Sequence, residues 1–220
     1  MNKTQTVTKI LLFCGILASL LYVGTDIFAA MQYKGYSYLD QSISELSAIG
    51  APTRPLWIAM LFLLNPLLIA FGIGVWRASR KRFLRFTGIL LAMWGVLGFV
   101  WMFFPMHLRG AIGSATDTMH LILAGVTVLL LTLFIGFGSG ARGKWFRIYS
   151  ILTILALLVF GALVASQAPR VQAQLPTPWM GVMERVSVFS PMLWVLVLAV
   201  VLLRAQARSL GNTKKSRSKE

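Results

Sequence analysis

The chain has 220 residues, 57% hydrophobic and 12% charged, with one cysteine and a formal net charge of +15 at pH 7. Its apolar composition and positive mean hydropathy exclude an ordinary soluble domain and indicate a membrane protein. The basic residues flank the apolar runs and the aromatics lie inside them, which is not the pattern of a nucleic-acid surface. Cys14 alone leaves no intramolecular disulfide.

A helix needs about 20 mostly apolar residues to cross the hydrocarbon layer. The runs at about 10–30, 55–77, 86–106, 118–138, 146–166 and 182–203 meet that length and predict an all-α integral membrane protein. The expectation is a single six-helix transmembrane domain over 1–204 and a basic cytoplasmic tail over 205–220 that anchors to anionic headgroups, with Gly211 and Asn212 ending any helix. Lys3 and Lys9 precede the first run as in a secretory signal, but the run is longer than a signal core, so it is expected to be retained. The links 78–85 and 139–145 are short and basic, which predicts antiparallel packing of neighbouring spans in an up-and-down bundle.

Six crossings divide the charges unequally. Lys3, Lys9, Arg77, Arg80, Lys81, Arg82, Arg85, Arg142, Lys144, Arg147 and the six basic residues from Arg204 to Lys219 fall on one side. Lys34, Arg54, Arg109, Arg170 and Arg185 fall on the other, with every acid but Glu220. Short loops rich in Lys and Arg stay in the cytoplasm, so the expected location is the cell (inner) membrane with both termini cytoplasmic and any chemistry at the opposite, outer face.

Within the spans, Gly15 with Ser19 and Gly88 with Ala92 are small residues four apart that allow close helix approach. Asn65 followed by Pro66 removes a backbone donor at mid-span and predicts a kink.

The loop after the first span reads YSYLDQSISELSAIGAP over 36–52. Ser42 and Glu45 have capping-box spacing, and Gly50 and Pro52 supply a stop, so a short reentrant or interfacial helix is predicted over about 42–49. Leu39, Ile43 and Leu46 form an apolar stripe, while Asp40, Ser44 and Ser47 form a polar one expected to face the other spans. Further along, Asp117 and His120 stand three apart at the start of the fourth span, where the carboxylate could orient the imidazole. Ser114 with Asp117 equally has capping spacing. Glu184 and Arg185 are adjacent, point to different faces, and must each find a partner elsewhere. Asp26 and Asp117 are both open to Arg185. His107, after Pro105, reads as a headgroup-level loop residue. Two histidines and scattered carboxylates do not reproduce a catalytic zinc spacing, so no metal or other cofactor is expected.

The strings YSYLDQSISELSAIGAPTRP, FFPMH, DTMHLILAG and GVMERVSVFSPMLWVLVLAVVLL resemble a prokaryotic six-span membrane family catalogued as domain of unknown function 998. The most specific element is Ile-Ser-Glu-Leu at 43–46 followed by Gly50, Ala51 and Pro52. More distantly, the layout is similar to the Frag1/DRAM/Sfk1 group, which implies a lipid-related role at the outer leaflet. A looser likeness to alkaline ceramidases lacks the further histidines that hold their zinc.

Three functions share one residue list. The first is a polar pocket on the outer side binding a lipid headgroup or small polar solute through Asp40, Glu45, Arg54, His120, Glu184 and Arg185. The second is an intramembrane lipid hydrolase in which Asp117 orients His120, His120 is the base and Ser44 or Ser47 the nucleophile. The third is a non-catalytic scaffold whose charges saturate one another. Membrane lipids are the expected partners, with no nucleic acid; the oligomeric state stays open.

Overall fold

The computed structural model describes residues 3–110 and 113–217. The helices are α1 (Lys3–Gln32), α2 (Ile43–Leu46), α3 (Arg54–Ala78), α4 (Arg82–Trp101), α5 (Ala115–Gly138), α6 (Gly143–Ala165), α7 (Ala168–Gln172) and α8 (Met180–Arg217), with a 3-10 turn at Ser139–Ala141. Six of them, α1, α3, α4, α5, α6 and α8, are long and apolar enough to cross a membrane. The all-α six-span bundle read from the sequence is the fold.

Each span packs on the next in chain order, and α8 returns to α1, so the six close into a ring with α3 and α8 also touching across it. Short links force this neighbour-on-neighbour order. Small residues set the closest approaches. A β-carbon on Gly72 would overlap the Gly88 carbonyl and one on Gly88 the Gly72 carbonyl, so α3 and α4 meet backbone to backbone there, with Ala92 in the same contact. Gly15 makes room for the Phe71 ring, and Ser19 Oγ donates to Met192 O at 2.8 Å, joining α1 to α8.

Two apolar clusters fill the ring. One, toward the basic end of the bundle, contains Leu12, Phe71, Leu91, Phe134, Trp194 and Leu198. The other packs Ala18, Ala29, Trp57, Met60, Leu64 and Leu68 against Ile43 and Leu46 of α2. The short helix is therefore drawn in among the ends of the spans by its own apolar face.

Several boundaries differ from the sequence reading. α2 is four residues long rather than eight, because Ser47 takes the C-cap and Gly50 turns at φ +91°. Leu39 consequently lies before the helix begins, out of phase with Ile43 and Leu46, and is exposed. The last helix continues through Gly211 and Asn212 to Arg217. Those residues lower helix propensity by about 1 kcal/mol or less each, which does not by itself stop a long helix. The final tail residues, 218–220, lie outside the described residues. α3 is continuous through Pro66, and α7 is an added short helix before the last span.

Candidate functional site

The polar groups gather at the end of the bundle away from the basic links, in two ion-pair locks and one cavity. The first lock joins α1 to α8. Arg185 Nε donates to Asp26 Oδ2 at 2.9 Å and its Nη2 to Asp26 Oδ1 at 3.0 Å, with Asp26 fully buried. Of the two partners open to Arg185, the fold takes Asp26. The remaining guanidinium donors reach the carbonyls of Tyr38 and Gly181 and the Tyr36 hydroxyl, and the Tyr38 ring stacks 3.4 Å from the guanidinium carbon. Burial raises the pKa of both Tyr36 and Tyr38, so these phenols stay protonated as donors, Tyr36 to the Gln41 and Ser42 carbonyls and Tyr38 to Asp26.

The second lock fixes α2. Ser42 caps the helix and Glu45 reaches back to the Ser42 amide at 2.7 Å, forming the capping box anticipated from spacing. The same buried carboxylate receives Arg109 on both oxygens, Nε at 2.5 Å and Nη2 at 3.0 Å. Arg109 also donates to Thr177 Oγ1 and the Asp40 carbonyl, tying three loops together.

Beside these locks lies a cavity of about 400 Å³. Its polar end is lined by Ser44, Arg54, His107, Asp117, His120 and Glu184, and it descends between α3, α4, α5, α6 and α8 to Leu131, Leu157 and Met192. Leu121 of α5 lines it while 54% exposed, so the wall is thin on that side.

Glu184 sits at the amino terminus of α2, accepting the Ile43 amide and, at 3.2 Å, the Ser44 hydroxyl. A carboxyl oxygen there meets an orphan amide of the helix's first turn. His120 Nδ1 lies 3.0 Å from the Phe104 carbonyl. A carbonyl only accepts, so Nδ1 carries the proton, and in the neutral ring Nε2 is an acceptor 3.3 Å from Ser44 Oγ, in competition with Glu184 for the one hydroxyl proton. The Trp101 ring meets the imidazole edge-on at 4.7 Å.

This arrangement corrects the pairing of Asp117 with His120. Asp117 turns up toward its own helix start, completing a capping box with Ser114 and accepting the His107 amide at 2.8 Å and Nδ1 at 3.1 Å. Three-residue spacing gives two side chains a common face, but the cap draws one of them outward while the other reaches inward. His107 is correspondingly a partner of Asp117, and it pairs with Ile49 in an isolated bridge. Ser47 lines the cavity, yet its hydroxyl donates to the Ser44 carbonyl, which leaves Ser44 as the hydroxyl facing the imidazole.

Of the other residues singled out from the sequence, Arg54, His120 and Glu184 line the cavity. Asp40, Glu45 and Arg185 do not; they serve the locks, Asp40 by accepting the Trp179 amide at 3.0 Å. Arg109 and Trp57, which sequence reasoning passed over, also line it. No signal in the sequence marks Arg109 apart from a lone loop cation. Among the described residues, no group of three or more His, Cys, Asp or Glu side chains could hold a metal ion.

No curated protein and no solved structure matches this chain. A family model described as a protein of unknown function, DUF998, matches residues 16–201. With most of the six-span bundle inside that match, the chain belongs to the DUF998 family.

Proposed function

We propose that the protein holds a membrane lipid in its intramembrane cavity, polar end toward the outer face. The observation that carries this reading is the cavity's two-part lining: ionisable and hydroxyl groups at one end, and Leu64, Leu68, Leu131 and Leu157 below. Small polar solutes have no use for the lower part, whereas an amphiphile fills both, and about 400 Å³ falls in the range of ligand pockets. Arg54 donates one bond to the Ser47 carbonyl, makes no ion pair with a carboxylate among the described residues, and stands at the polar end as the cation for an anionic headgroup. The outward orientation rests on the concentration of basic residues in the opposite links. The two saturated locks supply the rigidity that the scaffold reading asked of the whole cluster.

Native mass spectrometry of the full chain purified in mild detergent tests this. Wild type is expected to retain phospholipid, and Ala124→Phe, which fills the cavity wall, to lose it while staying folded. Equal lipid retention by the two would refute the reading.

One observation favours a second reading, lipid ester hydrolysis: the 3.3 Å approach of Ser44 Oγ to an imidazole whose other nitrogen is held by a backbone carbonyl. Ser44 would attack the ester carbonyl, His120 Nε2 take its proton and pass it to the leaving alcohol, and water release the acyl group.

A further inference from the structure

At the basic end of the bundle, away from Ser44 and His120, α1, α3 and α4 border a cleft of about 320 Å³, and Trp76, Arg77, Arg80 and Arg85 line it. Close helix packing brings these residues together. A β-carbon on Gly88 would stand 2.7 Å from the Trp76 amide nitrogen, so α4 runs against the backbone of α3 at this level. Arg85, three residues before Gly88, reaches across that contact, and its guanidinium carbon lies over the Trp76 indole, 4.4 Å from the ring centre. The indole holds the cation by its face and leaves the N–H edge for another partner. Arg77 follows Trp76 directly, and Arg80 stands three residues beyond it in the link to α4.

All three arginines are exposed, and among the described residues none of their guanidinium groups makes a hydrogen bond or an ion pair. Arg109 and Arg185 are built differently, each bound by a buried carboxylate. No carboxylate among the described residues lies at the basic end to do the same, since Asp26, Asp40, Glu45, Asp117 and Glu184 all stand at the other. Three like charges around one cleft repel one another, and an anion between them relieves that repulsion.

The surroundings narrow the anion. Planar guanidinium forks match the oxygens of a phosphate, and a tryptophan at the end of a span stands at headgroup level. One turn deeper on the same helix faces, Ile73 lies four residues before Arg77 and Ile89 four residues after Arg85. They are 42% and 46% exposed, so apolar surface continues directly beneath the cations. We infer that this cleft holds the phosphate of an anionic phospholipid, whose acyl chains lie along Ile73 and Ile89. A soluble phosphate would use the arginines and leave the surface below them without a role.

The test offers the full chain in detergent equal amounts of phosphatidylglycerol and phosphatidylcholine of the same chain length, and reads the bound ratio by native mass spectrometry. Wild type is expected to favour phosphatidylglycerol about 10- to 30-fold, the range of two arginines beside an anionic headgroup. Arg77→Gln combined with Arg85→Gln is expected to bring the ratio to within about twofold of equality. Arg142→Gln combined with Arg147→Gln removes the same charge from the other basic link and is expected to keep the preference, as is Ala124→Phe at the wall of the outer cavity. Equal binding by wild type, or a preference that survives the Arg77 and Arg85 exchange, overturns the inference. So does an equal loss in the Arg142 and Arg147 variant, which would mean a diffuse field in place of a site, or a loss in Ala124→Phe, which would assign the lipid to the outer cavity. Displacement of phosphatidylglycerol by excess inorganic phosphate would give the cleft to the soluble anion and overturn its assignment to lipid; retention supports it.

Discussion

The Glu184 carboxylate of the last span accepts the backbone amide of Ile43, the first residue of α2, across 141 positions of sequence. α2 has a single turn and no length from which to draw stability of its own. Its position in the bundle therefore depends on groups outside it: the capping Ser42, the Glu45–Arg109 pair and Glu184.

Replacing Glu184 tests its oxygens as acceptors for α2. Glu184→Ala leaves the Ile43 amide without its partner and is expected to lower stability by about 1–3 kcal/mol. Glu184→Gln retains an acceptor oxygen for the Ile43 amide and is expected to cost less, about 1 kcal/mol or under. Thermal unfolding of the purified proteins in one detergent checks the order; equal losses would contradict it.

The Asp26–Arg185 pair makes a sharper forecast. Truncating one partner of a buried pair strands the other charge, so Asp26→Ala or Arg185→Ala is expected to cost about 3–5 kcal/mol. The double exchange Asp26→Arg with Arg185→Asp is expected to fail as a rescue. Arg185 is also surrounded by the Tyr38 and Gly181 carbonyls and the Tyr38 ring face, all of which attract a cation and repel a carboxylate. Melting temperatures of the single and exchanged variants decide this, and recovery to near wild type would show that those surrounding groups carry little weight.

What the sequence disclosed about the site follows from the range of each interaction. The spans rest on composition over some 20 residues, and both capping boxes on three-residue spacing, so both were legible. The Asp26–Arg185 pair was narrowed to two candidates because charges inside spans are few and must be matched. Arg109 was not legible: its partner Glu45 lies 64 residues away, and nothing local separates it from any loop arginine. The Asp117–His120 reading failed for another reason. Spacing specifies a shared helix face but not rotamer, and here the Ser114 cap and His107 take the carboxylate away. Which residues border the cavity required the packing of all six spans, which one-dimensional pattern does not contain.

The corrected pairing separates the hydrolase reading from its sequence-based form. A fluorophosphonate probe reacts with a serine that an adjacent base activates. Should Ser44 be such a serine, Ser44→Ala and His120→Ala are each expected to reduce labelling at least tenfold. Asp117→Asn is expected to leave labelling within about twofold, since the hydrogen bonds of Asp117 go to His107 and Ser114 and none to Ser44 or His120. No labelling of wild type would remove the hydrolase reading; strong loss in Asp117→Asn would restore the abandoned triad.

Sidedness can be read independently of function. In a Cys14→Ala background, single cysteines at Lys34 and Arg142 are offered to a membrane-impermeant maleimide on intact cells and again after permeabilisation. Lys34 follows α1 in an exposed loop near the cavity's polar end, and Arg142 lies in the basic link between α5 and α6. Moving the basic links outward would oppose the bias by which short Lys- and Arg-rich loops are retained. Lys34→Cys is therefore expected to react on intact cells and Arg142→Cys only after permeabilisation. The reverse pattern would turn the polar end of the cavity to the cytoplasm, so that Arg54, Ser44 and His120 would meet inner-leaflet headgroups, and the proposed outer-face lipid site would have to be abandoned.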